Sequence, residues 1–252
     1  MASAKIYIGT SGWHYKHWKG IFYPEDLADS DQLRFYTKRF DTVEINNSFY
    51  RQPSENTFTK WKEQTPADFL FAVKANRYIT HLKKLHEVAE YAANFIQLSA
   101  RLGKKLGPFL FQLPPFWKLN LTRLSDFAEA LPKGYRYVFE FRNADWYVPE
   151  VYEVLRQYNF AFCIYELAGH QSPIEITADF VYVRLHGPGG KYQGKYTDND
   201  LAKWAKQCRR WQQAKKDVFF YFDNDEKGYA ADNAGTLATL LHSSVNKKSE
   251  AE

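Results

Sequence analysis

The sequence predicts an α/β protein built as a single TIM-type (β/α)8 barrel. Three observations predict it. About eight short apolar segments alternate with segments of helical periodicity, the alternation that gives a parallel sheet wrapped by helices. At 252 residues, 45% hydrophobic and 25% charged, the composition is that of a globular protein, and one such barrel uses the whole length. Within the strands, polar residues recur at alternate positions near the C-terminal end. That is the pattern expected where one strand face meets the helices and the other faces the barrel interior.

Taken in order, residues 6–9 form the first strand, and residues 10–24 form a loop rich in Trp13, Tyr15, Trp18, Phe22 and Tyr23. Ser30 or Asp31 starts a helix ending near Phe40, and TVEINNSFYR is the second strand with its following turn. Residues 54–64 read as helix, FLFAVKA as the third strand, and residues 82–102 as a long amphipathic helix closed by Gly103. GPFLFQLPP is the fourth strand, ended by Pro114 and Pro115. Residues 121–131 are helical, YRYVFEFR is the fifth strand, residues 148–158 are helical, and FAFCIY is the sixth strand.

Residues 166–178 have no helical period, so one outer helix is missing or shortened after the sixth strand. The seventh strand opens YVRLHGPGGKYQGKY, which breaks at His186 into a loop with four glycines and two lysines. Thr197 or Asp198 caps the next helix, whose buried stripe is Leu201, Trp204, Cys208 and Trp211. Its basic side, Lys203, Lys206, Arg209 and Arg210, reads as a solvated face. VFFYFDND is the eighth strand, followed by a helix over residues 233–241. The barrel domain is assigned to residues 1–243 and a disordered tail to 244–252.

Composition bounds the function. The net charge of +5 and pI near 8.9 permit a polyanionic partner without requiring one. No apolar run approaches the roughly 18 residues a membrane span needs, and the strand begins almost at once, so no membrane partner and a cytoplasmic location are expected. Cys163 and Cys208 sit on apolar faces as reduced core residues, with neither metal spacing nor a disulfide framework. Oligomeric state is not encoded in any of these features.

The candidate site is the set of polar pairs at strand ends. Glu44 with Asn46, Lys74 with Asn76, Glu140 with Arg142, Arg184 with His186, and Asp223 with Asp225 each share a strand face. TIM-barrel enzymes carry their catalytic groups at this end of the strands. In a catalytic reading, Glu44 or Glu140 is the base, Lys74, Arg184 and His186 stabilise charge, and Asp223 orients the cluster. Arg184→Ala is then expected to abolish binding and leave the fold. Satisfied ion pairs filling the interior are the plain alternative.

The residues also carry a resemblance. The pattern GxSGWxYxxWxGxFYP, from Gly9 to Pro24, resembles the domain-of-unknown-function 72 family, also called YecE-like. VEINNSFYR, VKANRYITH, LGPFLFQLPP, FEFRNADW, YVRLHG with YQGKY, and YFDNDEKGYAADNA continue it over nearly the whole chain. The chain departs from that pattern at Tyr165-Glu166 and at Asp223-Asn224. The resemblance implies a TIM barrel and brings no settled activity.

Three functional readings follow. The first is binding or hydrolase-type action on an anionic, phosphate-bearing small molecule or nucleic acid. TIM barrels often hold phosphate in the loops after strands seven and eight, and the glycine-rich segment falls in the first of these. Gly187, Gly190 and Gly194 let backbone N–H groups approach an anion, while Lys191 and Lys195 supply charge. Tyr15, Trp18, Tyr192 and Tyr196 are expected to stack bases, and Trp13, Gln112 and Asn224 add ligand contacts. The second is a glycosidase-like reaction using Glu44 and Glu140, with Trp13, Trp18 and Trp146 as sugar platforms. The third is a non-catalytic ligand-binding barrel.

No cofactor is implied by any motif: neither a P-loop nor a dinucleotide fingerprint has the required spacing. His14 and His17 lie on the aromatic loop, and only His186 among the histidines ends a strand, so a zinc site is not expected. Asp223, Asp225, Glu226 and His186 leave a loosely held Mg²⁺, shared with a phosphate, as an open expectation.

Overall fold

A computed structural model describes residues 3–249, with side chains to residue 242. Its elements, in order, are β1 (Ile6–Thr10), α1 (Gln32–Tyr36), β2 (Thr42–Ile45), α2 (Glu55–Glu63), β3 (Leu70–Lys74), α3 (Ala89–Ser99), β4 (Leu106–Gln112), α4 (Leu121–Ala130), β5 (Tyr137–Glu140), α5 (Pro149–Gln157), β6 (Ala161–Leu167), β7 (His170–Gln171), β8 (Phe180–Leu185), α6 (Asp198–Gln213), β9 (Asp217–Phe222) and α7 (Tyr229–Ser249). Eight parallel strands make a nearly closed barrel with surrounding helices, the TIM-type (β/α)8 fold. The strand order is β1-β9-β8-β6-β5-β4-β3-β2, and the two-residue β7 folds back antiparallel on β6. No helix stands between β6 and β8, as the sequence indicated; β7 and an extended return take its place. The seventh and eighth barrel strands are therefore β8 and β9.

The chain forms two compact units. The first contains residues up to Val43, Tyr165–Ser172 and the segment from Val183 onward. The second contains Glu44–Ile164 and Pro173–Tyr182.

In the first unit β1 pairs with β9 from Ile6 opposite Val218 to Thr10 opposite Phe222. β9 is buried over five of its six positions, since a parallel strand is covered on both faces. The loop before α1 is not an open aromatic platform. Trp18 and Tyr23 are completely buried, and Trp18, Phe22, Tyr23, Phe35, Tyr36 and Phe40 make one ring cluster with centroids about 5–6 Å apart. Such aromatic contacts stabilise beyond the area they bury. Gly9 is what lets this cluster close on β1, because a Cβ there would lie 2.2 Å from the Thr42 carbonyl oxygen.

In the second unit β4 and β5 pair from Phe109 opposite Tyr137 to Gln112 opposite Glu140, and β5 pairs β6 from Val138 opposite Ala161. Their alternate aromatic residues pack in register; Phe111 and Phe139 stack at 5.3 Å, and Phe139 and Phe160 at 5.9 Å. Much of the aromatic content thus serves the core. Lys105, at the edge of this unit, is buried and donates to the Thr65 carbonyl at 2.6 Å, closing the end of α2.

Three helix boundaries differ from expectation. α1 is a five-residue helix preceded by a 3-10 turn rather than a helix over 31–40. α3 begins at Ala89, because Tyr78–Leu82 forms a π-helical turn and Lys84, Leu85 and Glu87 take left-handed backbone conformations. α7 runs through Ser249 rather than ending at 241 before a disordered tail. No glycine or proline lies between Gly235 and Ser249 to stop it. Residues 250–252 of the expected tail lie outside the described residues.

Candidate functional site

In the first unit the strand ends bring Arg184, His186 and Asp223 together. The Asp223 backbone N–H donates to Leu185 O at 2.8 Å, setting the end of β9 beside that of β8. Arg184 lies on β8 and His186 just past its end, two residues apart in extended chain, so both reach Asp223. Arg184 Nη2 donates to Asp223 Oδ2 at 3.1 Å, and His186 Nδ1 lies 2.9 Å from the same oxygen. A second contact runs from Arg184 Nη2 to Ser11 Oγ at 3.2 Å. Both Arg184 and His186 are completely buried.

Asp225, two residues on, joins the next layer. Trp18 Nε1 donates to its Oδ1 at 2.6 Å, and His17 Nε2 lies 2.9 Å from its Oδ2. Burial pushes this carboxyl up to about 6, helped by the nearby Asp223 charge; the Trp18 and His17 contacts pull the other way and lose. Glu166 is likewise raised, chiefly by burial and then by Asp200.

The glycine-rich loop is tied down by the protein itself. At Gly187 φ is +113° and a Cβ would meet Gln193 O at 2.1 Å, so only glycine fits this turn. Its N–H donates to the Tyr196 hydroxyl at 3.0 Å. Asn224 donates to Gly194 O at 2.9 Å and to Asn233 Oδ1 at 3.0 Å, while Asn233 bonds both backbone groups of Tyr196. Tyr196 and Asn224 are buried and fasten the loop, while Asn224 Oδ1 has no hydrogen-bond partner among the described residues. The Gly194 N–H already has an anion, Glu226 Oε2 at 3.2 Å. At the start of α6, Thr197 caps the Asp200 N–H, and Asp198 and Asp200 compensate the helix dipole. Lys195 is paired with Asp232 at 2.7 Å. The expected phosphate cradle here thus carries carboxylates of its own. Lys191 and Tyr192 remain exposed, with Lys191 Nζ 5.5 Å from the Tyr192 ring and Tyr192 edge-on to His186. Gly190 lies at the turn that Gln193 N–H closes. Trp13 is nearly buried, and Tyr15 donates its hydroxyl to Ser11 O.

In the second unit two carboxylates are completely buried. Glu44 accepts from the Tyr182 hydroxyl at 2.6 Å, and Glu140 is held by Arg142 Nε with Cys163 Sγ at 3.7 Å. Gln112, opposite Glu140 in register, turns its amide to Leu113 O. Asn76 donates to Ser48 O at 3.0 Å and accepts from the Tyr78 N–H at 2.9 Å, so it shapes the turn after β3. Trp146 is fully buried, stacked on Phe141 and bonded to Trp117 O; it offers no face to a sugar. Asn46 keeps a buried Oδ1 without a hydrogen-bond partner among the described residues.

Lys74 is the most suggestive of this group. Its Nζ lies 4.5 Å from the centre of the Phe49 ring, whose edge meets the His81 imidazole at 4.9 Å. His81 Nδ1 lies 2.9 Å from Thr80 Oγ1 and its Nε2 has no partner among the described residues. Its pKa is pulled down to about 4, first by burial and then by the Lys74, Arg77 and Arg142 charges, against Glu140. Sequence reasoning missed His81, Arg77 and Glu166 as site residues, and it paired Asp225 with Asp223 without foreseeing the burial that raises it. The signal for the first two was their place beside Lys74 in VKANRYITH.

Among the described residues no group of three or more His, Cys, Asp or Glu side chains is arranged to hold a metal ion, so the Mg²⁺ expectation gains no support from the carboxylates. Both cysteines are free and buried. No described helix is long and apolar enough to cross a membrane. A groove of about 700 Å³ along α7, lined by Ile21, Phe40, Ala231 and Gly235 among others, includes none of the expected site residues.

Parallel strands ringed by helices define a TIM-barrel protein. The family model described as "Protein of unknown function DUF72" matches residues 7–252, and the chain belongs to that family. It is 31% identical to the UPF0759 protein YunF of Bacillus subtilis, over 94% of each chain. It resembles the crystal structure of a DUF72 family protein from Thermotoga maritima with a TM-score of 0.86 at 30% identity, covering 94% of this chain and 99% of that one. A DUF72 family protein from Enterococcus faecalis aligns with a TM-score of 0.80 at 20% identity, over 94% and 95% of the two chains, a likeness of fold.

Proposed function

We propose that the protein binds an anionic, phosphate-bearing ligand at the end of β3, with Lys74 and Arg77 supplying charge and His81 Nε2 a hydrogen bond. The observation that carries this reading is the placing of cations around one turn: Lys74 Nζ lies 4.5 Å from the centre of the Phe49 ring, which the His81 imidazole also meets, and Arg77 stands exposed in the same turn. Burial first, and then the Lys74, Arg77 and Arg142 charges, hold the His81 imidazole below its ordinary value, and the positive field of those charges favours an anion. Arg77 strengthens the case, being exposed and without a hydrogen-bond or ion-pair partner among the described residues. The phosphate position therefore moves from the loop after the seventh strand, where Glu226 sits on the Gly194 N–H, to the turn after the third.

Turnover is a further step. Glu44 and Glu140, the candidate bases, are completely buried and already bonded to Tyr182 and Arg142, which favours binding as the primary role. The carbohydrate reading gains one feature and loses another. Asp225 is a carboxyl raised to about 6 within two residues of Asp223, as an acid–base pair requires. Trp18 and Trp146, however, are buried and unable to stack on a sugar ring.

The test is thermal stabilisation by sugar phosphates, nucleotides and neutral oligosaccharides, on the parent and on Lys74→Ala/Arg77→Ala. A ligand selective for the native state contributes about 2.7 kcal/mol at one hundred times its dissociation constant. Stabilisation by phosphorylated compounds, lost in the variant, supports the reading. Equal stabilisation of both proteins, or stabilisation by neutral sugars alone, contradicts it.

A further inference from the structure

The second unit exposes aromatic side chains beside cations along three consecutive strand-end loops. After β2 comes Tyr50, 73% exposed, next to Arg51. After β3 come Arg77, Tyr78, Leu82, Lys83 and Lys84, and after β4 comes Phe116, 69% exposed, near Lys118. Tyr50 meets Phe49, which contacts both Lys74 and His81; Lys83 lies 5.9 Å from the Tyr78 ring and Lys84 5.4 Å from Phe116. The contacts link the β3 loop to its neighbours on both sides. Residues 50–53, 74–87 and 114–119 hold six cations, Arg51, Lys74, Arg77, Lys83, Lys84 and Lys118, against one acid, Glu87. Glu87 itself lies 3.5 Å from His86 Nδ1.

Large rings this exposed are stabilised when a partner removes them from water, and their alternation with cations gives the surface two recognition chemistries. An apolar protein partner would use the rings and leave the lysines uncompensated. A simple anion would use the lysines and leave the rings wet. A single-stranded nucleic acid uses both, its bases stacking on the rings and its phosphates meeting the cations. The backbone also departs from ordinary geometry here, with the π-helical turn Tyr78–Leu82 and left-handed Lys84, Leu85 and Glu87; Ile79, Thr80 and Leu85 are buried beneath the turn while Tyr78, Leu82 and Lys83 are exposed.

We infer that the β2, β3 and β4 loops form a binding surface for a single-stranded polynucleotide, with Tyr50, Tyr78 and Phe116 as base platforms and Arg77, Lys83 and Lys84 as phosphate contacts. The inference rests on the phosphate reading at Lys74 and extends it to a polymer. A base lost from an aromatic platform weakens binding by roughly five- to a hundredfold.

The experiment is fluorescence anisotropy of the full chain with a labelled oligothymidylate, an abasic strand of equal length and a duplex, accompanied by stabilisation with inorganic phosphate. Tyr50→Ala/Phe116→Ala changes only exposed side chains and leaves the fold. It is expected to weaken oligothymidylate binding by that factor or more, and to leave the abasic strand and phosphate unaffected. Lys83→Ala/Lys84→Ala should flatten the salt dependence by about 0.7 log units per decade for each phosphate contact removed. Equal affinity for the abasic strand and oligothymidylate, unchanged in Tyr50→Ala/Phe116→Ala, overturns the inference and spares the phosphate reading. Strand binding that depends on Tyr50 and Phe116 without any phosphate response at Lys74 sinks the phosphate reading instead. Self-association, or binding to anionic vesicles, through the same rings without strand binding overturns the inference in favour of those partners.

Discussion

Arg184 Nη2 donates to Asp223 Oδ2 at 3.1 Å from a guanidinium that is completely buried, joining the ends of β8 and β9. From the alternation of polar residues alone, Arg184 reads as a ligand contact whose removal spares the fold. Burial reverses that expectation. Taking away one partner leaves Asp223 and His186 to share a charge out of water, and breaking such a pair costs about 3–5 kcal/mol. Arg184→Ala should lower the unfolding free energy by that amount in urea titrations. Arg184→Met with Asp223→Asn should recover much of the loss, since it leaves no unpaired charge. A single variant as stable as the parent would show that the pair contributes nothing to stability.

Asp225 gives stability a pH dependence of unusual sign for an aspartate. Its ordinary value is 3.8 and burial lifts it to about 6 despite Trp18 and His17. Between those values the unfolded chain has given up the proton while the native protein retains it. Stability therefore falls as pH rises through this window, and the penalty is complete above about 6. With the side chain only 14% exposed, it amounts to less than about 3 kcal/mol. Asp225→Asn, which keeps an acceptor for Trp18, should be more stable than the parent at pH 7 and remove this contribution between pH 4 and 6. Stability of the variant that tracks the parent across that range would place the raised carboxyl elsewhere.

Period-two polarity was enough to find the strand ends. It brought Arg184 and His186 onto one face of β8 beside Asp223, and the apolar alternation gave the barrel and the missing helix after β6. What sequence reasoning could not reach are contacts set by distant loops. Asp225 is buried by Trp18, 207 positions earlier, and Trp146 is fixed by the Trp117 carbonyl, 29 positions earlier. Neither partner leaves a periodic signal. The turn that presents His81 is hidden for a different reason. Its left-handed positions are Lys84, Leu85 and Glu87, where glycine or asparagine is usual, so residues 82–88 resemble the start of a continuous helix.

His81 supplies a titration that reads the proposed phosphate site directly. In the free protein its pKa is about 4, with burial the largest cause and Lys74, Arg77 and Arg142 the next. As pH falls from its ordinary 6.5 toward 4, the unfolded chain takes up a proton before the native one, so stability is full above that window and declines through it. Lys74→Met removes one repelling charge and should raise the His81 pKa, observed as an upfield-to-downfield imidazole titration by NMR. An anion seated between Lys74 and Arg77 acts in the same direction, because it favours the imidazolium. By linkage, sulfate, whose own charge is constant over this range, should then bind more tightly as pH falls toward 4, and His81 should titrate at higher pH when it is bound. An imidazole that titrates identically with and without saturating sulfate, while sulfate binds, would put the anion somewhere other than the end of β3.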